Sequence, residues 1–259
     1  METLKLLFLI YVRPAFAFSE IMDRGSWLVA AGIAFVVAIL FFSTVNARLD
    51  AAYRMPSVSD YYDEVHYSEI DPDVADRYQA SALERYQDAV RNKRNIPLVG
   101  DRFFSFFSFS PTSFYQPVIA ISLFYVPIVI LCISLIAGIA SFGLLLRRDY
   151  AVIATCTLLA WAAAHLPFAV AGILLYGSAL DPAVWFSFWV ASGAIFGVLM
   201  TFAIRTVFGT TYPIALLTVA LSWIAFPISM YVTQYVSPWL LSPFLLILAF
   251  IYFGGFLGG

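Results

Sequence analysis

WLVAAGIAFVVAILFFSTV, from Trp27 to Val45, runs without a charge between Asp23 and Arg24 on one side and Arg48 on the other. A helix rises about 1.5 Å per residue and a bilayer's hydrocarbon core is roughly 30 Å thick, so about 20 such residues cross it. Read as a spanning helix, this stretch commits the chain to a membrane fold. Composition agrees: 62% of residues are hydrophobic, 12% are charged and the mean hydropathy is +0.88, whereas roughly a quarter of a soluble domain is charged.

The charges are also unevenly placed. Of the thirty, nineteen lie between Arg48 and Arg102, and none lies between Thr206 and Gly259. Four further apolar stretches are expected to span, at 117–146, 151–179, 184–204 and 213–234, with Arg147, Arg148, Asp149, Asp181, Pro182 and Arg205 between them. Gln234, Ser237 and Pro238 offer a turn before a last apolar piece, 239–257, which either crosses or dips back. The expected fold is therefore all-α, a polytopic transmembrane helical bundle of five or six spans.

Lys and Arg of short loops stay on the cytoplasmic side. Lys5, Arg13 and Arg24 precede the first span, Arg147 and Arg148 follow the second, and Arg205 follows the fourth. All fall on one side if the spans alternate, which puts the N-terminus in the cytoplasm and 46–116 outside. METLKLLFLIYVRPAFA has a base, an apolar run and an A-x-A ending, but Arg13 interrupts the pattern before the small residues. Positions 1–26 are expected to hold a retained, interfacial helix.

The 46–116 segment reads as a largely helical extracytoplasmic insertion. With eight bases and eleven acids from Arg48 to Arg102, it lacks the basic footprint of a nucleic-acid binder. Asp71 and Pro72 read as an N-cap and first helical residue. The helix expected over 72–94 sets Val74, Tyr78, Ala82, Tyr86 and Val90 four apart along one face, a stripe for its own domain, the bilayer surface or a protein partner. After it, DRFFSFFSFSPTSFYQP places Phe103, Phe106, Phe107 and Phe114 just before the second span, where aromatic rings gather at the membrane interface. We read 103–115 as an interfacial anchor, with a hydrophobic-ligand entrance as the alternative. The acids of DYYDEVHYSEIDPD lack the EF-hand pattern and read as solvated linker.

No HExxH, GxSxG, GxxxxGK[ST] or CxxC occurs, and the reading names no catalytic residue, cofactor or metal. Cys132 and Cys156 each sit alone in an expected span. The polar feature at membrane depth is His165 in AAAHLPFAV, near the backbone freed by Pro167; it is a ligand or proton site, or a hydrogen bond to a neighbouring helix. Gly193 and Gly197 in GAIFG, and Ala30, Ala34 and Ala38, give small residues four apart, which let helices approach closely.

YVRPAFAFSEI, an Arg-Pro with phenylalanines and an acid just before the first span, resembles the start of a Yip domain, the Rab-GTPase-interacting membrane family with bacterial relatives. FGLLLRRDYAVIATCTLLAWAAAHLPFAVAGI resembles that family's aromatic-containing helix reaching a mid-span proline, here Pro167. WFSFWVASGAIFGVLMTFAIRTVFGTTYPIALLTVALSW resembles its tryptophan-bearing helix, short turn and following helix. The resemblance covers about 150 residues. It implies no enzyme activity and a role through partners in a membrane. The family's short connection after the first span is replaced here by about seventy residues, and its usual five spans leave a sixth unexplained. The expectation is a non-enzymatic membrane scaffold or accessory subunit binding lipids and a protein partner, with no nucleic acid. The absence of an N-x-[ST] sequon in 46–116 points to a bacterial inner membrane. The alternative is a small-molecule or lipid permease using His165 and a proline-broken helix.

Overall fold

A computed structural model describes residues 2–53, 114–178 and 180–235, together with positions 84 and 87. The described residues are helical with short turns and contain no strand. The helices are α1 (Glu2–Val12), α2 (Pro14–Arg24), α3 (Trp27–Phe41), α4 (Ala47–Tyr53), α5 (Gln116–Ile119), α6 (Val126–Ala137), α7 (Phe142–Leu174), α8 (Pro182–Phe208) and α9 (Tyr212–Tyr235). Wider π-turns, Phe42–Asn46 and Ala120–Tyr125, join α3 to α4 and α5 to α6. Five stretches are long and apolar enough to cross a membrane: Trp27–Ala52, Pro117–Ala137, Phe142–Leu174, Pro182–Phe208 and Tyr212–Ser229. The chain is thus an all-helical, multi-pass membrane protein. The sixth expected span, the helix over 72–94 and most of the aromatic segment lie outside the described residues.

Several boundaries differ from the sequence reading, the third span running Phe142–Leu174 rather than 151–179. The first span does not stop at Val45; it continues through the π-turn into α4 as far as Ala52, and the helix itself ends at Tyr53. The second stops at Ala137 rather than Leu146, because Gly138 takes the left-handed conformation (φ +59°) and closes α6 by donating to the Ser134 carbonyl. The Ser134 hydroxyl then donates to the Ala140 carbonyl at 2.9 Å, and the Ser141 carbonyl accepts the first amides of α7. Arg147, Arg148 and Asp149 therefore lie inside the first turns of α7 and not in a loop. Its 33 residues reach about 50 Å, more than a bilayer core requires, so the charged end extends past the hydrocarbon.

The residues form two compact units. One holds the described residues up to Phe35, Gln116–Ala164 and those from Ile195 on. In it, α1 packs on α2 and α6 on α9. Ile10, Ala17, Phe18 and Ile21 of the first two helices are buried. The phenol of Tyr125, in the second π-turn, is hydrogen-bonded to the Ser222 hydroxyl at 3.2 Å and set between the rings of Phe196 and Phe226, each 5.7 Å away.

Two contacts fix how α2 lies in this unit. The hydroxyl of Tyr11 donates to the carbonyl of Ala163. A Cβ on Gly25 would meet the Thr155 methyl at 3.0 Å. The chain therefore runs down α7 from the level of residue 163 to that of 155, about 12 Å at 1.5 Å per residue, antiparallel to it. The Ala163 carbonyl is the one that Pro167, with no N–H, leaves without its helical partner. Tyr11 supplies the missing donor. Partial burial pushes its phenol up to about 12, so the hydroxyl keeps its hydrogen across the physiological range.

The other unit holds the described residues of Val36–Tyr115 and His165–Ala194. The end of α3, its π-turn and α4 run parallel to the second half of α7, as alternate spans must. Phe41 meets His165, Thr44 and Val45 meet Gly172, and Arg48 meets Tyr176. Asp181 caps α8 by accepting the Ala183 amide at 2.8 Å, with Pro182 as the first helical residue.

Candidate intramembrane polar site

The candidate site follows from the register of α3 and α7 in the second unit. The Gly172 position lets the two helices close: a Cβ there would fall 2.6 Å from the Thr44 hydroxyl oxygen and 3.1 Å from a Val45 methyl. Only the absence of a side chain permits that spacing. Two turns before it on α7, the ring of His165 is buried and meets the buried Phe41 ring edge to face, with centroids 4.8 Å apart and planes at 84°. Such a pairing suits an imidazole with little access to water.

One turn further along, helix geometry departs from the α form. The π-turn Phe42–Asn46 widens the backbone by one residue, a device found often at functional positions. Thr44 satisfies its hydroxyl on the Leu40 carbonyl at 2.7 Å. Asn46, 3% exposed, does not: its buried Oδ1 has no hydrogen-bond donor among the described residues. Arg48 follows, donating through Nη2 to the Tyr176 carbonyl and lying 4.5 Å over the Tyr176 ring, while its buried Nε finds no acceptor among the described residues. A lone acceptor and a lone donor thus sit two residues apart at the end of the first span. Chemically they offer hydrogen bonds; among the described residues no group of three His, Cys, Asp or Glu side chains is placed to hold a metal ion.

Of the residues singled out from sequence, His165 and Pro167 both lie within α7. Ala30, Ala34 and Ala38 are fully buried along α3. The two glycines of GAIFG part company: a Cβ on Gly197 would press on the Trp223 ring at 2.9 Å, while one on Gly193 would meet open space. Phe114 is half-buried, with its ring 6.1 Å from that of Tyr115. Phe103, Phe106 and Phe107, and the stripe Val74, Tyr78, Ala82, Tyr86 and Val90, lie outside the described residues. Glu84 and Gln87 are helical and exposed.

Sequence reasoning passed over Asn46, Arg48, Gly172, Tyr176 and Tyr11. Asn46 carried one usable signal, a carboxamide within the apolar run, discarded when the span was ended at Val45. Gly172 has no small residue four positions before it, and the tyrosine contacts join positions over a hundred residues apart, which no local pattern encodes. Against known proteins, the chain matches no family model, no curated protein and no solved structure.

Proposed function

We propose that this protein is a non-enzymatic scaffold or accessory subunit of a membrane complex, of Yip-like organisation, in a bacterial cytoplasmic membrane with its N-terminus inside. One observation carries the reading. Five buried hydroxyls of the described helices spend their hydrogen bonds on their own backbones, Thr44 on Leu40, Thr155 on Ala151, Thr157 on Ile153, Ser192 on Trp189 and Thr218 on Ile214, while the buried Ser122 hydroxyl has no partner among the described residues. Such groups pack helices together, and a site that turns over a substrate needs polar groups converging on one point. Cys132 and Cys156 are buried singly, as structural thiols are. The charged segment between the first two spans is then the partner-binding part. The test is affinity purification of the intact chain in mild detergent beside a chain lacking Asp71 to Arg94. A stoichiometric partner that disappears with the deletion supports the scaffold; a chain that purifies alone in both cases sinks it.

A second reading, a permease for a small molecule or lipid, is favoured by a separate observation. The Asn46 Oδ1, which has no donor among the described residues, stands in a π-turn beside the Phe41–His165 pair, in a unit whose long helix carries Pro167. Under this reading His165→Ala abolishes uptake into reconstituted vesicles while the protein still folds. Unchanged uptake would remove it.

A further inference from the structure

The α1–α2 pair raises a question that the scaffold reading does not answer. Its charges sit at both ends, Glu2 and Lys5 on one side and Glu20, Asp23 and Arg24 on the other, and the stretch from Leu6 to Phe18 is apolar except for Arg13. The Glu20–Arg24 pair is 3.6 Å apart. Gly25, at the end of α2, lies at the level of Thr155, and Tyr11 lies at the level of Ala163, about 12 Å further along α7 and away from Arg147 and Arg148. The apolar middle of the pair therefore stands near the centre of a roughly 30 Å hydrocarbon core. Phe8, Val12 and Phe16 are 69%, 76% and 54% exposed, a surface suited to acyl chains.

Arg13 does not suit acyl chains. It is exposed, it makes no ion pair among the described residues, and it interrupts the helix with φ −143° and ψ 71° before Pro14. Its backbone is satisfied, the amide donating to the Leu9 carbonyl and the carbonyl accepting the Ala17 amide, so it is the permanent charge that requires water or polar groups at that depth.

We infer that α1 and α2 form a re-entrant element that dips into the leaflet on the Arg147–Arg148 side, with Phe8 and Phe16 among acyl chains and Arg13 drawing water and lipid phosphates down to its tip. The partner of this surface is the bilayer itself, locally thinned. It differs from the expectation of a short interfacial helix in 1–26, and it stands or falls independently of any protein partner.

The experiment uses the full chain, with Cys132 and Cys156 replaced by Ala, in phosphatidylethanolamine–phosphatidylglycerol vesicles. A polarity-sensitive fluorophore is attached to Phe16→Cys or to Val12→Cys, and quenching by lipids brominated at mid-chain is compared with quenching by aqueous iodide on each side. The Phe16→Cys probe is expected to respond to bromine and resist iodide. The Val12→Cys probe is expected to respond to iodide from one side only, and to lose that response when Arg13→Leu is added. Free iodide quenching at both positions regardless of Arg13→Leu means a surface helix and overturns the inference. So does iodide reaching neither probe, or reaching Val12→Cys from both sides.

Discussion

The Tyr11 hydroxyl donates to the Ala163 carbonyl, four residues before Pro167 in the same helix. A helix-interior proline and a tyrosine more than 150 positions away are thus linked through one carbonyl. Tyr11→Phe should cost about 1–2 kcal/mol, the penalty of an orphaned buried carbonyl. In a Pro167→Ala background the restored N–H at position 167 takes that carbonyl, and the same substitution should cost close to nothing. Denaturation of the four proteins in detergent gives the coupling directly; additive losses would mean the two features are unrelated.

The same bond sets a pH dependence. The phenol is neutral in the folded protein up to about 12, above its ordinary value near 10. Its contribution is fully present below about pH 10 and is lost as the pH rises towards 12. The difference between wild type and Tyr11→Phe should be flat from pH 6 to 9 and shrink only above that, as followed by thermal unfolding across the range.

Glycine positions rank by the space around them. Gly172→Ala drives a methyl into Thr44 and should destabilise by about 1–3 kcal/mol, as overpacking does. Gly197→Ala should cost less, because the Trp223 ring, 41% exposed, has room to turn. Gly193→Ala should be neutral or slightly stabilising. Unfolding midpoints in one detergent would show the order, and equal losses at Gly172 and Gly193 would refute it.

Asn46→Leu removes an acceptor that has no donor among the described residues and puts an apolar side chain of similar size in its place. Stability should rise by about 1–2 kcal/mol. A loss of stability would show that the carboxamide has a partner in the membrane.

Arg48 and Tyr176 should behave as a pair. Arg48→Gln and Tyr176→Leu each forfeit the stacking, about 0.5–1 kcal/mol at an exposed position, so the double substitution should lose less than the sum. Equal unfolding shifts that simply add would dismiss the cation–ring contact.

The membrane class was legible because it follows from length and charge: apolar runs such as Trp27–Val45 and Pro213–Gln234 leave no soluble reading. Boundaries were less so. Arg147 to Asp149 looked like a loop, yet a helix continues through charges once it leaves the hydrocarbon, and the true break was carried by Gly138. At the candidate site, His165 and Pro167 were visible as chemically unusual residues in an apolar helix. Their setting was not. The π-turn at Phe42–Asn46 has no sequence signature, and GAIFG suggested a matched pair although only Gly197 meets a neighbour.

That π-turn can be viewed as a phase shift. One extra residue in the first span turns everything after it by roughly 100° about the helix axis relative to an unbroken α-helix. Arg48 meets Tyr176 from the face that this rotation gives it. Removing a single residue between Phe42 and Val45 would leave composition and hydropathy almost untouched, yet swing the guanidinium to another side of the helix. For this protein the length of the first span is a coded quantity, and a one-residue deletion there is a larger change than most substitutions.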